Sequence, residues 1–280
     1  MIPYRATLDV TRELALFVTE VLHAERRRRG TRRNRRVLTP YRQAMLVLRW
    51  FRDATPVHRL AADHQVSVAT AYRYLHEAIT ALAAHAPDLH QVLQQRRATG
   101  DTHVILDGTL IPTTRVAATT IKTKGTNRGA TVHLWYSGKH RSFGGTIQFL
   151  ASADGFPLWV SPVLPGSRND LSAARDHGVI GALTAAASQG LRTLADRAYH
   201  SAGIGILTPF KRPAGHPPLA ADHQTYNLLH SRLRCLGERA AALLKTRWPA
   251  LRRITLCPHR ITAIVQAALV LTHHEHHGRY

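Results

Sequence analysis

The spacing of apolar residues changes near residue 100, and this change limits the folds open to the chain. Before it, apolar residues recur every three or four positions, as on one face of a helix. After it, they form short runs rich in β-branched residues, which are typical of buried strands. Helices are expected over 9–29 and in three segments of 40–83, and strands at 104–106, 130–137, 145–152, 156–164 and 191–195. The sequence therefore predicts an all-α part followed by an α/β part with a mixed sheet (α+β).

Three consecutive parts are predicted along the chain. Residues 1–38 hold an N-terminal helix and an Arg-rich arm, residues 39–97 a helix-turn-helix domain, and residues 98–280 the mixed α/β domain. Pro87 and the polar stretch 94–97 are expected to end the helical part, with a domain boundary near Arg97–Asp101. A length of 280 residues with 44% hydrophobic residues is enough for a sizeable core and argues against disorder along the whole chain.

The charge balance is unusual, with 38 Lys+Arg, 17 Asp+Glu and a formal net charge of +21. The basic residues are almost all Arg, and codon bias in a GC-rich genome is one explanation. A surplus this large also indicates a polyanionic partner. Nucleic acid is the commonest such partner, and an anionic membrane surface is the lesser alternative.

Several other classes of protein are excluded by simple patterns. The longest apolar run, near residues 261–271, is about half of the roughly 20 residues that span a bilayer. The N-terminus lacks the apolar core of a secretory signal. Cys235 and Cys257 form no CxxC pair, which excludes a Cys-rich zinc site and a disulfide scaffold. We expect a cytoplasmic protein, located on the bacterial nucleoid.

An Arg-rich arm follows the first predicted helix. So dense a block of like charge repels itself and is not expected to pack. The favoured interpretation is a phosphate-binding arm, because each Arg that meets a phosphate releases counterions, and a solvated linker is the alternative. The eight candidate DNA-binding residues are Arg26, Arg27, Arg28, Arg29, Arg32, Arg33, Arg35 and Arg36.

Residues 40–83 have the pattern of a helix-turn-helix. Pro40 suits the first position of a helix, a turn is expected near 64–66, and Ser67 is a good N-cap for the third helix. An ordinary helical hairpin is the alternative. In a helix-turn-helix, the third helix faces the major groove. The residues expected there are Ser67, Thr70, Arg73 and Tyr74.

Three acidic residues of the second part stand out in so basic a chain. Asp107 lies in or at the end of an apolar strand, Asp196 follows another strand, and Glu238 lies on a helix predicted over 226–247. A buried carboxylate needs a cation, hydrogen-bond donors or a metal. Three oxygen donors suit Mg²⁺, and two such ions about 3.5–4 Å apart bind the attacking and leaving oxygens of a phosphodiester.

Other charged residues accompany this set. Arg234 and Lys245 share a helix face with Glu238, with a surface salt-bridge stripe as the alternative. Asp170 is a secondary candidate, for which the N-cap of a helix is the favoured role.

Five segments carry a resemblance to a known family. They are LDGT at 106–109, YSGKHRSFGGTIQ at 136–148, PGSRNDLSAAR at 165–175, LADRAYHSAG at 194–203 and N-x3-S-x2-R-x3-E-R-x5-K from Asn227 to Lys245. In this order they resemble the DDE-superfamily transposases of bacterial insertion sequences, in particular the subgroup similar to Harbinger-type transposases. The resemblance extends from about residue 40 to 256. Ser231 stands where many relatives have Tyr, as in the Harbinger-like subgroup.

This resemblance implies a ribonuclease-H-like catalytic domain preceded by an all-α DNA-binding domain. It makes Asp107, Asp196 and Glu238 the catalytic residues and the ligands of two Mg²⁺ ions, with Mn²⁺ as a substitute. The Arg four residues before the Glu and the Lys seven residues after it match Arg234 and Lys245, which are expected to hold DNA phosphates.

The implied activity is DNA transposition. Such a protein binds the terminal inverted repeats of its element, cuts the phosphodiester at each end and transfers the 3′-OH to target DNA. Its partner is double-stranded DNA and not a membrane, and joining two ends requires a homodimer or a larger assembly. Two alternatives remain open at this point: a catalytically silent DNA-binding regulator derived from a transposase, and a related metal-dependent DNA nuclease.

Overall fold

The structure is a computed structural model that describes residues 7–32, 34–114, 116–121, 128–212, 214–215 and 217–276. The chain forms two compact units. The first contains Met1–Ala86, Leu244–Arg253 and Ala263–Tyr280, and the second contains Pro87–Leu243 and Ile254–Thr262. The prediction of three functional parts divided after residues 38 and 97 stays a prediction, and the boundary between the units falls earlier, after Ala86.

The first unit is helical. Its first four helices are α1 (Arg12–Arg28), α2 (Pro40–Asp53), α3 (Val57–Asp63) and α4 (Val68–Ala83). The expected caps are present: Pro40 begins α2, and the Ser67 hydroxyl accepts a hydrogen bond from the Thr70 N–H at the start of α4. Trp248 and Phe51 meet edge to face in the core, and the Trp248 indole N–H donates to Thr272.

The second unit contains the sheet. Its strands are β1 (His103–Pro112), β2 (Thr119–Ile121), β3 (Thr131–His133), β4 (Tyr136–Ser137), β5 (Ser142–Ala151), β6 (Pro157–Val160), β7 (Leu164–Pro165), β8 (Arg192–Ala195) and β9 (Ile206–Leu207). The order across the main sheet is β4-β5-β1-β8-β9, with β6 and β7 also paired to β5. β1 is antiparallel to β5 and parallel to β8, and β8 is parallel to β9. The predicted mixed sheet is therefore confirmed.

The remaining helices are α5 (Leu89–Ala98), α6 (Asp170–Asp176), α7 (Val179–Ser188), α8 (Ala221–Arg247) and α9 (Ile261–Glu275). α5 packs against α7 and β6 because its apolar residues Leu89, Val92 and Leu93 are buried there, within the second unit. The last residues of α8 and most of α9 belong to the first unit. Across the described residues, the structure holds no helix that is both long and apolar enough to span a bilayer.

Two predictions of local structure are wrong, and a third is made more definite. The expected strand at 130–137 is two short strands, because β3 pairs with β2 in a separate ribbon while β4 joins the main sheet. β1 continues beyond the apolar run to Pro112, so Asp107 lies within the strand, the first of its two predicted positions, and not at the end. The N-cap of α6 is Asn169, whose side-chain oxygen accepts from the Ser172 N–H, and Asp170 is the first helical residue.

Candidate active site

Asp107 lies in the middle of β1, where a carboxylate is costly. Its side chain is 16% exposed, and one oxygen, Oδ1, accepts a hydrogen bond of 2.9 Å from the Gly108 N–H. Burial raises the pKa of Asp107 to about 6, against the opposing effects of that hydrogen bond and of the Arg234 charge. The negative charges of Asp196 and Glu238 raise this pKa further, which indicates that both carboxylates lie within electrostatic range.

Asp196 follows the neighbouring parallel strand. Leu106 of β1 is paired with Ala195 of β8, so Asp107 and Asp196 are the next residues along two adjacent strands. The Asp196 side chain accepts a hydrogen bond of 2.9 Å from the Ala198 N–H and so caps the short 3₁₀ helix Arg197–Tyr199. This hydrogen bond fixes the carboxylate at the carboxyl end of the strand, where α/β proteins place ligand sites.

Glu238 reaches the site because Gly237 lets α8 approach β1 closely. A Cβ atom on Gly237 would lie 2.6 Å from Ile105 Cγ2 and 4.0 Å from Asp107 Cβ. Such a short contact with a buried strand cannot be relieved without shifting the helix. Glycine in a helix interior usually costs about 0.5–1 kcal/mol, and here the close packing accounts for it.

Arg234 connects two of the three acidic side chains. Its guanidinium lies 3.7 Å from Asp107 Oδ2 and 3.1 Å from Glu238 Oε1. The Arg234 side chain is 18% exposed, whereas that of Glu238 is 64% exposed. The arrangement is therefore a cation held between a buried and an exposed carboxylate.

The chemistry of the three carboxylates fits a divalent metal. Within the described part of the chain, no three His, Cys, Asp or Glu side chains are grouped closely enough to hold an ion as they stand. The donors are nevertheless hard oxygens, which Mg²⁺ prefers. Asp107 and Asp196 each use one oxygen in a local backbone hydrogen bond, which orients the carboxylate.

Asp170 lies beside the same segment of β1. Its Oδ1 is 2.8 Å from the position that a Cβ atom on Gly108 would take, and its Oδ2 is 3.4 Å from Lys139 Nζ. A side chain at position 108 would therefore require the Asp170 carboxylate to shift. Because side chains alternate across a strand, Asp170 packs on the face of β1 opposite to that of Asp107.

Two buried polar residues near the site were missed by the sequence analysis. Gln148 Nε2 donates to the Asp170 carbonyl (2.6 Å) and to the Tyr199 hydroxyl (3.2 Å). Burial, together with the charges of Asp170, Asp107 and Asp196, raises the pKa of Tyr199 far above its usual value, so its phenol stays protonated. No signal in the sequence marked Gln148, because it meets Gly108 only through the pairing of β5 with β1.

A cavity of about 420 Å³ is lined by Asp196 and Arg234. His230 is buried in its wall, with Nε2 3.0 Å from the Leu207 carbonyl oxygen, and burial lowers the pKa of His230. The lining residues are Asp196, Arg197, Pro209, Asn227, His230, Ser231 and Arg234.

Three arginines of the Arg-rich arm are packed within the first unit, although the dense positive charge predicted an unpacked arm. Arg26 donates to the Leu38 carbonyl (2.9 Å) and to Gln43 (2.7 Å), and burial lowers the pKa of its guanidinium. Arg29 and Arg36 both pair with the buried carboxylate of Glu77, at 3.5 and 2.8 Å. The expectation of an unpacked arm is therefore wrong for these three arginines: Arg26 is held by neutral hydrogen-bond acceptors, and the charge of Glu77 offsets the repulsion between Arg29 and Arg36.

The other arginines of the arm differ in their surroundings. Arg27, Arg28, Arg32 and Arg35 are exposed, and Arg28 pairs with Glu25. Arg33 lies outside the described residues.

The predicted groove-facing residues are partly corrected. Ser67 and Arg73 are exposed, Thr70 is half-exposed, and the Thr70 hydroxyl accepts a hydrogen bond from Arg73. Tyr74 is only 3% exposed, and its hydroxyl accepts from the Leu38 N–H, so this side chain does not face solvent. Tyr72, on the same helix, is 39% exposed.

Lys245 belongs to the first unit, near the end of α8. It is half-buried, and burial lowers the pKa of its ammonium group. Its role at a phosphate stays a prediction.

Comparison with known families identifies the second part of the chain. Residues 106–273, more than half of the chain, match the family described as DDE superfamily endonuclease. The chain belongs to this family. The matched segment contains Asp107, Asp196 and Glu238.

The chain is also similar to a curated protein of Streptomyces albus G that carries the provisional name of transposase for insertion sequence element IS112. The two are 29% identical over 211 residues, which cover 75% of this chain and 70% of the relative. No solved structure matches the chain. The predicted resemblance to DDE-superfamily transposases of insertion sequences is thus confirmed, whereas the Harbinger-like subgroup stays a prediction.

Proposed function

We propose that this DDE superfamily endonuclease is a DNA transposase. It binds the terminal inverted repeats of its insertion sequence, cuts the phosphodiester at each end, and joins the freed 3′-OH to target DNA. One observation carries the proposal: Asp107 and Asp196 occupy neighbouring positions on adjacent parallel strands, and α8 brings Glu238 close to the first of them. A silent regulator has no evident need for this arrangement.

The three carboxylates have distinct supports in the fold. The Gly108 N–H orients Asp107, the Ala198 N–H orients Asp196, and the glycine at position 237 brings Glu238 toward β1. Together they would hold two Mg²⁺ ions, with Mn²⁺ as a substitute, which supply Lewis-acid stabilisation of the attacking and leaving oxygens. The order of the strands, an antiparallel group followed by two parallel strands, supports a ribonuclease-H-like arrangement.

DNA binding is assigned to the first unit and to basic residues near the carboxylates. The exposed arginines of the arm contact phosphates, and α4 of the proposed helix-turn-helix faces the major groove with Ser67, Thr70 and Arg73. Arg234 contacts a phosphate near the cut, and Lys245 also contacts a DNA phosphate. Because two element ends are joined to one target, the DNA-bound form is a homodimer or larger. The substrate places the protein on the nucleoid of a bacterial cytoplasm.

The test uses a supercoiled plasmid that carries the gene with its own flanking DNA. Purified protein is incubated with it in Mg²⁺ or in EDTA, and Asp196→Asn serves as the inactive control. Cuts that need the metal, map to inverted repeats flanking the gene and disappear in the variant are the expected result. Sequencing of joined products then separates a transposase from a nuclease that only cuts.

Two outcomes would overturn the proposal. Specific binding to the repeats without any cut in Mg²⁺ or Mn²⁺ indicates the regulator. Cuts at the repeats with no joined product in the presence of target DNA indicate a related nuclease.

A further inference from the structure

Arg234 occupies the space between two carboxylates that the proposed function assigns to metal ions. Its guanidinium lies 3.1 Å from Glu238 Oε1 and 3.7 Å from Asp107 Oδ2. Guanidinium is planar and carries its donors in a rigid fork, which allows one Arg to serve two carboxylates at once. An ammonium group is a more compact charge and fits this bridging position less well.

A counter-ion is needed at this place in the absence of metal. Asp107, Asp196 and Glu238 bring three like charges into a partly buried region, where charge interactions are stronger than in water. The Arg234 side chain is itself 18% exposed, so solvent screens its contacts only partly. It is therefore suited to neutralise the carboxylates.

We infer that Arg234 is a placeholder cation. It neutralises Asp107 and Glu238 until divalent ions are bound, and it has to release at least one of these carboxylates when the ions enter. This inference rests on the proposed function, because it takes the three carboxylates as metal ligands. Arg234 is thus a positioning residue that competes with the metal.

The released guanidinium has a place to go. Arg234 also lines the cavity of about 420 Å³ that Asp196 and Arg197 border, beside the proposed cutting site. A guanidinium in this cavity is available to a DNA phosphate, to which Arg binds well. Binding of metal ions by the carboxylates would then favour the contact of Arg234 with a phosphate, since the guanidinium cannot pair with the carboxylates and with a phosphate at once.

The experiment titrates Mn²⁺ into the full-length, DNA-free protein by isothermal titration calorimetry. Arg234→Gln should bind Mn²⁺ about three- to tenfold more tightly than the wild type, because the competing cation is gone. Arg232→Gln removes the same charge from an exposed position on the same helix and should change the affinity less than twofold. Arg234→Lys keeps the charge without the fork and should lie between the wild type and Arg234→Gln.

Thermal unfolding gives an independent reading of the same variants. In EDTA, Arg234→Gln should unfold at a lower temperature than the wild type, because its carboxylates lack a counter-ion. Saturating Mn²⁺ should close this gap. If the glutamine variant does not fold, the Arg234→Lys titration decides alone, and an affinity equal to or below that of the wild type overturns the inference.

The possible failures are distinguishable. Equal or weaker Mn²⁺ binding by Arg234→Gln, with wild-type binding lost in Asp107→Asn and in Glu238→Gln, refutes the placeholder role and leaves the proposed metal site intact. Wild-type binding that persists in both carboxylate variants refutes the metal site itself, and the inference fails with it.

Discussion

At the scale of single residues, Asp107 shows a conflict between stability and chemistry. Its pKa is raised to about 6 from 3.8, chiefly because the strand buries the carboxylate. The folded protein therefore holds this proton more tightly than the unfolded chain does, and stability rises as pH falls from about 6 to about 4. Above pH 6 the ionised side chain lowers stability.

Asp107→Asn should accordingly stabilise the metal-free protein at pH 8. The expected gain, from about two pKa units, is about 1–3 kcal/mol in the free energy of unfolding, and it should shrink below pH 4, where Asp107 is neutral in both states. Urea unfolding in EDTA at several pH values measures it. Asp53→Asn, at an exposed carboxylate, is the control and should show little change. A variant that is less stable at pH 8 would contradict the dominance of burial.

Glu238 makes a different prediction, because its side chain is 64% exposed and supports little of the fold. Glu238→Gln should fold like the wild type, and its affinity for the terminal repeats should stay within about twofold of the wild-type value. It should abolish cleavage, since one charged oxygen ligand is lost. Gel shifts and plasmid cleavage on the same preparation check both parts. Retained cleavage by Glu238→Gln would falsify its assignment to the catalytic set.

The sequence predicted some residues of the candidate site and missed others for a physical reason. Asp107, Asp196 and Glu238 stood out because charge is rare in apolar segments of a basic chain. Gly237 and Gln148 did not, because their roles come from contacts with strands that are distant in the sequence. Composition and spacing do not encode such contacts.

At the scale of secondary-structure elements, the Arg-rich arm is fastened to α4 by one acid. Glu77 is a buried carboxylate that pairs with Arg36 at 2.8 Å and with Arg29 at 3.5 Å. The Arg36 guanidinium also lies over the ring of Tyr74, which is on α4 like Glu77. Glu77 thus fixes the position of the arm beside the proposed recognition helix.

Glu77→Gln should loosen the arm. Removing the Glu77 charge leaves Arg36 without a counter-charge and Arg29 paired with Glu25 alone. We expect a loss of about 1–3 kcal/mol in stability, below the full cost of a buried pair because Arg36 reaches solvent. Limited trypsin digestion should cleave within residues 32–36 several-fold faster. Glu20→Gln, at an exposed position of α1, is the matched control. Equal digestion of both variants would show that Glu77 does not hold the arm.

The sequence predicted helices well, because their apolar spacing is a local pattern. It predicted strands less well, because their bounds depend on pairing with distant segments. The helices around Leu14, Phe51 and Leu75 follow the three- and four-residue spacing closely. The segment 130–137 looked like one strand, but its two halves pair with different partners. Local sequence sets the β tendency of that segment and leaves its pairing open.

At the scale of the whole molecule, the net charge of +21 is a property of the chain and not of any one site. The net positive charge of the whole protein attracts DNA at long range. A side chain that contacts a phosphate directly also releases the counterions bound at that phosphate. The two effects differ in their dependence on salt. A salt titration can therefore tell contact residues from residues that add only to net charge.

Arg32 and Arg35 are exposed residues of the arm and are expected to contact phosphates. In the double variant Arg32→Gln/Arg35→Gln, the negative slope of log K against log salt should become shallower by about two, because each lost contact accounts for about 0.9. Fluorescence anisotropy with a labelled duplex, over a series of NaCl concentrations, measures the slope. Arg12→Gln/Arg192→Gln removes the same charge from two other exposed positions and should change the slope by less than one. If the slope becomes shallower by the same amount in both double variants, net charge alone drives binding and the arm is a solvated linker. A larger change of slope in the Arg32→Gln/Arg35→Gln variant identifies the arm as the phosphate-binding element.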